Sequence, residues 1–361
     1  MPQPPRGPFP LKVTEVHAVA ERAKTLVFAV PAELQPQFTW RAGQFITVHP
    51  IIDGKQVQRA YSLCTGPVAG GSPSITVQRV ENGLVSNYLH DHIGVGDSLL
   101  VSPPRGNFCA DIQAKNHRTY YAFAAGSGIT PIFAQVQQIL ATESTSHIFL
   151  LYGCRDEDNI IFAKALEDLA AKHHGRLQVD ITLSRPRSHQ WRAMFSTRPR
   201  WTGATGRIDG ARVKEWAIAN PPPNQTVRYL VCGPGDMIDT VINALGEIDV
   251  AKSDILSERF GAAAKKGGST GSAATLSVTL AGKTTQIPVA AGQTLLQAMT
   301  AAGVEAPFSC QAGVCGSCRA KCTKGRVEQP GAAALSEKER ADGYVLTCRA
   351  QPTEAQVAVR F

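Results

Sequence analysis

Nowhere does the 361-residue chain hold an apolar run of about 18 residues, so no membrane span is expected. Its first residues, Met1-Pro-Gln-Pro-Pro-Arg-Gly-Pro, lack an apolar core, which argues against a signal peptide and suggests a frayed, polyproline-like arm. No internal repeat is visible. A net charge of +8 raises the question of nucleic acid, yet the basic residues are spread out. The short cluster Arg185, Arg187, Arg192, Arg198 and Arg200 comes without a recognised nucleic-acid motif, so an anionic cofactor or acidic partner accounts for the charge more simply. Secretory features are missing, and of the nine cysteines Cys64, Cys109, Cys154, Cys232 and Cys322 form an odd, scattered remainder outside the cluster set near the end of the chain, which fits reduced thiols in a cytoplasm.

What is present is most specific near the end of the chain. Cys310-Gln-Ala-Gly-Val-Cys315-Gly-Ser-Cys318, followed by a distant Cys348, has the ligand spacing of a plant-type [2Fe–2S] cluster. Two irons need four thiolates, so one loop curls around the cluster and a remote strand supplies the last ligand. Ala312, Gly313, Gly316 and Ser317 are small enough for backbone N–H groups to turn toward the sulfurs, which helps set a potential near about −400 mV. A zinc site would more usually show two C-x2-C pairs, and a disulfide framework suits short secreted chains.

At this length two or three domains are expected. Residues 261–274 are small and polar and read as a flexible linker. After them a hairpin (276–280 and 285–289), a helix capped by Thr294 and stopped by Gly303, and strands at 319–323 and 344–348 predict an α+β β-grasp ferredoxin domain over 275–361, with a short helix from Ser336. Before the linker, six short strands (13–19, 25–30, 44–49, 56–62, 74–80, 98–101) and a helix at 85–92 predict an antiparallel β-barrel over 1–112. Residues 113–260 alternate strand and helix, which predicts an α/β domain with a parallel sheet.

Six short motifs carry chemistry in these two blocks. Arg59-Ala-Tyr61-Ser62 ends a barrel strand, Gly83-Leu-Val85-Ser86 opens a helix whose N-terminus suits a pyrophosphate, and Pro104-Arg-Gly-Asn-Phe108 closes the barrel. Ala125-Gly126-Ser-Gly128-Ile-Thr130-Pro131 joins a strand to a helix, with glycines that let a dinucleotide approach and Thr130 as a possible cap. Cys232-Gly-Pro-Gly-Asp-Met237 ends a later strand, and Glu258-Arg-Phe260 ends the block. Ser184 has no neighbouring His–Asp pair to make it a nucleophile.

Together these motifs resemble the ferredoxin–NADP reductase superfamily. The three blocks in this order resemble the reductase components of multicomponent bacterial oxygenases, most of all those serving phenylacetyl-CoA epoxidase and steroid- and aromatic-hydroxylating relatives. The resemblance implies FAD held by Arg59 on its phosphates, Tyr61 on the isoalloxazine and Ser62 near flavin N5, with Gly83, Val85 and Ser86 as the phosphate cradle. It implies Gly126, Gly128 and Thr130 beside the nicotinamide dinucleotide, Cys232 beside the nicotinamide, and Phe260 over the other flavin face. Ser62, Cys232 and Glu258 would orient the hydride donor. Ser184 and Arg185, with Arg187 nearby, resemble NADPH-using members, and NADH is the alternative. Cys310, Cys315, Cys318 and Cys348 would hold the cluster, the exit toward a terminal oxygenase. A reductase acting alone on ferric or haem-protein acceptors, and a redox-sensing module, are the rival readings. The long linker and the Trp- and Arg-bearing segment 187–203 depart from the family pattern.

Overall fold

The computed structural model describes residues 7–67, 71–187, 201–260, 271–280, 282–304, 306–308, 313, 316–332, 334–335 and 337–361. The N-terminal arm up to Arg6, Arg192, Arg198 and Arg200, linker residues 261–270, and Cys310, Ala312, Cys315 and Ser336 lie outside the described residues. The chain divides into two compact units; the first holds the two six-stranded sheets and the β4–β5 pair, and the second holds the five-stranded sheet and a further two-stranded one.

The first sheet comprises β1 (Phe9–Ala20), β2 (Ala23–Ala29), β3 (Phe45–Val48), β6 (Arg59–Ser62), β7 (Ser74–Gln78) and β8 (Ser98–Arg105), in the order β6–β3–β8–β1–β2–β7. A separate hairpin, β4 (Ile51–Ile52) with β5 (Lys55–Gln56), occupies the first half of the strand expected at 56–62. The β1/β2, β1/β8, β2/β7 and β3/β8 pairings are antiparallel. An antiparallel bridge from Leu63 to Ile75, reinforced by Cys64 N–H donating to Ser74 O at 2.9 Å, joins the two outermost strands and closes the barrel. Leu11 and Val13 face the core while Lys12 and Thr14 face out, the two-residue period of a strand with one dry face. β8 runs beyond the expected 98–101 through Pro103 and Pro104. These prolines fall past the β1 pairing and within a register shift against β3, where no ladder N–H is lost. Helix α1 (Leu84–His92) seals the barrel with Val85 and Leu89.

The second sheet is wholly parallel. Its strands β9 (Arg118–Ala125), β10 (His147–Cys154), β11 (Leu177–Leu183), β12 (Ala204–Thr205), β13 (Thr226–Pro234) and β14 (Ile255–Phe260) run in the order β12–β11–β10–β9–β13–β14. Side chains along β9 alternate between two cores. Tyr120, Ala122 and Ala124 meet Ile132 of α2 (Ile129–Thr142) and Leu166 of α3 (Ala163–Lys172). Tyr121 and Phe123 meet Val213 of α4 (Gly210–Ala219) and Ile238 of α5 (Gly235–Gly246). On that second face Phe149, Tyr121 and Tyr229 stack across three neighbouring strands with centroids 5.4 Å apart. Sequence reasoning missed α4, whose mostly half-exposed residues give little periodicity. Its signal was Asp209, whose side chain caps the helix by accepting from Arg212 N–H at 2.9 Å.

The segment leading from the barrel into β9 is tied down by Glu143, which has no exposed surface. Its side chain accepts from Asn116 Nδ2 (2.7 Å), Ser146 Oγ (2.6 Å), Tyr120 OH (3.0 Å) and Gln113 N–H (3.2 Å). Removing it strands several buried donors, so Glu143→Ala is expected to destabilise this unit by about 3 kcal/mol. In calorimetry that lowers its transition by roughly 6–12 °C. An unchanged transition would show these bonds to be dispensable.

The second unit has a five-stranded sheet, β16 (Lys283–Val289), β15 (Ala274–Leu280), β21 (Gln356–Arg360), β17 (Arg319–Lys324) and β19 (Tyr344–Leu346), in that spatial order. A separate two-stranded antiparallel ladder pairs β18 (Val327–Glu328) with β20 (Gln351–Pro352). α6 (Leu295–Ala301) packs Leu295, Leu296 and Met299 with Leu276, Val278 and Val357 of the sheet. Thr294 caps α6 reciprocally with Gln297, and Gly303 follows at φ +70°. α7 (Glu337–Ala341) precedes β19, which stops at Leu346 short of the strand expected to reach Cys348. β15 and β21 pair in parallel, so the end of the chain returns to the centre of the sheet. No helix among the described residues is long and apolar enough to cross a membrane.

Candidate functional site

On β6, Ser62 is buried, Tyr61 half-buried and Arg59 exposed, with Arg59 Nη1 donating to Gln58 O at 2.9 Å. The chain reaches α1 through Gly83. A Cβ there would lie 2.5 Å from Ser86 Oγ and 2.9 Å from Val80 Cβ. Ser86 Oγ accepts from Val80 N–H at 3.2 Å and donates to Gly83 O at 3.3 Å, which fixes the turn. No side chain caps α1, which leaves its first-turn N–H groups without a side-chain partner, and the turn before it is too tight for any residue larger than Gly83. The residues fit a flavin nucleotide's phosphates.

In the parallel sheet the strand order reverses between β9 and β13, and ligands of such sheets bind at the carboxyl ends there. Both motifs of this block stand at that point. Gly128 packs against the backbone of Cys232 so closely that a Cβ would overlap the Cys232 carbonyl. Gly126 has φ +54° and open space beside it, room for a nucleotide to approach the backbone. Tyr152, wholly buried, donates its OH to Gly126 O at 3.2 Å and accepts from Ile161 N–H at 3.2 Å, which anchors the turn. The expectation that Thr130 caps α2 is corrected. Gly128 is the N-cap, and Thr130 lies within the first turn with Oγ1 donating to Ser127 O at 3.0 Å. The uncapped N-terminus of α2 therefore fits a dinucleotide pyrophosphate.

Cys232 is wholly buried, and burial, followed by the charge of Glu258, pushes its thiol well above the usual range. It stays a neutral thiol at ordinary pH. Glu258 sits beside it in register on β14, and Phe260 is paired with Pro234. Burial also pushes the Cys109 thiol up to about 11, with Glu258 adding to the rise and Arg41 opposing it. At the end of β11, Ser184 and Arg185 are exposed, their N–H groups donating to Cys154 O (2.9 Å) and Arg155 O (2.7 Å). Arg187, expected nearby, is engaged elsewhere. It pairs with Asp158 and, at 3.5 Å, with Glu21 at the β1–β2 tip.

Sequence reasoning also missed a basic cleft of about 220 Å³, lined by Arg22, Arg79, Glu81, Gly126, Arg155 and Asn159. Arg155 was open to discovery, since it follows β10 at the carboxyl edge of the sheet. Arg22 and Arg79 come from the barrel, and no local pattern announces them. Arg79 is held by Asp91 at 2.5 and 3.2 Å.

In the second unit Cys318 and Cys348 are 2% and 5% exposed. Thr347 links them, its N–H and its Oγ1 both donating to Cys318 O at 3.1 Å. Gly313 (φ +80°) and Gly316 (φ +69°) adopt the left-handed turns anticipated for the ligand loop. At Gly313 an added Cβ would overlap Gly331 O, and Ala334 N–H donates to Gly313 O at 2.9 Å. Buried cysteines around glycine-only turns fit a [2Fe–2S] cluster. The other two candidate ligands, Cys310 and Cys315, lie outside the described residues.

Three family models match the chain: an oxidoreductase FAD-binding domain over residues 10–109, an oxidoreductase NAD-binding domain over 123–242, and a 2Fe-2S iron–sulfur cluster binding domain over 278–353. The ferredoxin reductase component of 3-ketosteroid-9-alpha-monooxygenase from Rhodococcus rhodochrous is 32% identical, over 99% of this chain and 98% of that protein. One of the subunits of 1,2-phenylacetyl-CoA epoxidase from Escherichia coli (strain K12) is 32% identical, over 97% of each. Phthalate dioxygenase reductase shares the fold at a TM-score of 0.57 and 22% identity, over 98% of both chains. A type IV self-sufficient cytochrome P450 monooxygenase does so at a TM-score of 0.70 and 24% identity, over 97% of this chain and 40% of that one. The chain therefore belongs to the reductase components of oxygenase systems, oxidoreductases that carry electrons from NAD(P)H through FAD and a [2Fe–2S] cluster toward a partner oxygenase.

Proposed function

We propose that this chain is the NADPH-dependent reductase of a cytoplasmic terminal oxygenase acting on an aromatic, acyl-CoA or steroid substrate. Its FAD barrel is assigned to residues 1–112, its nucleotide domain to 113–260, its linker to 261–274 and its ferredoxin domain to 275–361. The observation that carries the reading is the backbone contact between Gly128 and Cys232, where the two nucleotide motifs meet at the switch of the parallel sheet. The ketosteroid and phenylacetyl-CoA systems served by the relatives support the substrate classes. The scattered cysteines outside the cluster set support the compartment.

Bound FAD supplies the exchange of a hydride pair for single electrons. In this reading Arg59 neutralises its phosphates, and Gly83, Val85 and Ser86 present backbone N–H groups to them. Tyr61 stacks on one face of the ring and Phe260 covers the other. Gly126, Gly128 and Thr130 shape the turn for the dinucleotide, and the neutral Cys232 thiol bounds the nicotinamide pocket without competing as a nucleophile. The Ser62 hydroxyl donates and the Glu258 carboxylate accepts hydrogen bonds that orient the donor carbon. Cys310, Cys315, Cys318 and Cys348 hold the cluster.

Ser184 and Arg185 at the end of β11 are assigned to the 2′-phosphate, and they carry the preference for NADPH. Arg185→Ala is expected to raise the KM for NADPH about tenfold, the worth of one charge-assisted hydrogen bond, and to leave that for NADH unchanged. Equal effects on both nucleotides would reject the assignment. The wider reading is tested by mixing the reduced protein with an oxygenase co-purified from the source cells. Product formation that depends on NADPH and on this chain supports it, and full turnover without this chain sinks it.

A further inference from the structure

We propose that Arg349 sets the electron affinity of the [2Fe–2S] cluster by holding a fixed positive charge over the ligand loop. The proposal rests on Cys348 being a cluster ligand. β19 ends at Leu346, and the turn that follows has Arg349 N–H donating to Leu346 O at 2.8 Å. This turn buries Cys348 and sends the next side chain outward across the facing turn.

The arginine is pinned at both ends. Its Nε donates to Pro330 O at 2.7 Å. Its stem lies on Gly313, where an added Cβ would stand 2.7 Å from Arg349 Cγ. Gly313 is inside the candidate ligand loop, between Cys310 and Cys315. Gly331 leaves space beneath the guanidinium, since a Cβ there would come 3.6 Å from Nη2 and 3.7 Å from Nε. One hydrogen bond and the close approach at Gly313 thus hold one charged group against the loop and the turn facing it.

Its charge also differs from that of its neighbours. Arg319, which follows Cys318, pairs with Glu339, and Arg326 pairs with Glu354 at 3.6 Å. Among the described residues no carboxylate pairs with Arg349. The cluster takes one electron at a time and no proton, so each reduction adds a unit of negative charge beside this guanidinium. Net charge and hydrogen bonding near the sulfurs are the levers that set such potentials. At the protein surface one fixed nearby charge is worth about a tenfold change in that equilibrium.

The test is an EPR-monitored redox titration of the full-length holoprotein, with iron and sulfide analysis to establish loading. Arg349→Gln keeps a donor for Pro330 O and loses the charge; Arg349→Lys keeps the charge and loses the planar fork. Arg349→Gln is expected to lower the one-electron equilibrium constant about tenfold, or about 59 mV, while Arg349→Lys stays within about twofold of the wild type. A wild-type midpoint in the Gln variant, or a Lys variant that shifts as far as Gln, overturns the proposal. Should Gln fail to load iron, the Lys variant decides by the same criterion. Failure of both to load makes the residue a structural clamp, which also overturns it. Absence of a reduced-cluster signal from the wild type would instead remove the cluster reading on which the proposal stands.

Discussion

Replacing Cys348 by alanine is expected to abolish NAD(P)H-driven reduction of cytochrome c while sparing reduction of ferricyanide. The two acceptors draw on different points of the route. Ferricyanide is small and takes electrons directly from bound flavin, whereas a protein acceptor is served through the cluster. Cys348 is 5% exposed and reaches Cys318 through Thr347, so its loss leaves a buried hole in the thiolate set that water cannot fill with a comparable ligand. Cys315→Ala, from the other side of the loop, is expected to do the same. Apart from Gln58–Ala60, the barrel and the nucleotide block belong to the other compact unit, and among the described residues their cores hold none of this loop. Parallel loss of both activities would mean that the cluster supports the fold rather than the exit of electrons.

The second large effect is expected from Gly128→Ala. The substitution adds one methyl group, yet that methyl would overlap the Cys232 carbonyl, a backbone atom that no rotamer change can move aside. Either the α2 turn or the end of β13 shifts, and a displacement near 1 Å at such a site costs about 100-fold in rate. Anaerobic stopped-flow measurement of flavin reduction by NADPH is therefore expected to slow by about two orders of magnitude. FAD content is expected to stay at the wild-type level, because Arg59, Tyr61 and Gly83 stand on the barrel. Gly126→Ala makes a contrast. It meets no neighbour, and its cost is confined to the strained φ of +54°. If Gly128→Ala reduces flavin at the wild-type rate, the contact with Cys232 does not position the nucleotide.

How much of this was legible beforehand depended on range along the chain. The alternation from Val13 announced a barrel strand, which in fact starts at Phe9, and Thr294 announced a helix start, because both signals involve near neighbours. The cluster loop was legible because its ligands are three closely spaced cysteines. Thr130 was misread, since a threonine one residue inside a helix and one at its cap look alike until the backbone of Gly128 is seen. The ion pairs of Arg187 were not legible, because its partners, Asp158 and Glu21, come from a distant loop and from the barrel.

The sequence by itself determined the element types, the order of the three blocks and the chemistry of the cysteine loop, since periodicity and ligand spacing are properties of consecutive residues. Only the tertiary structure decided that Gly128 abuts Cys232, that Glu143 gathers four donors, and that Arg349 lies across Gly313. Such contacts join residues whose separation follows no period. They arise where parallel strands and left-handed turns bring backbones within one atom's width.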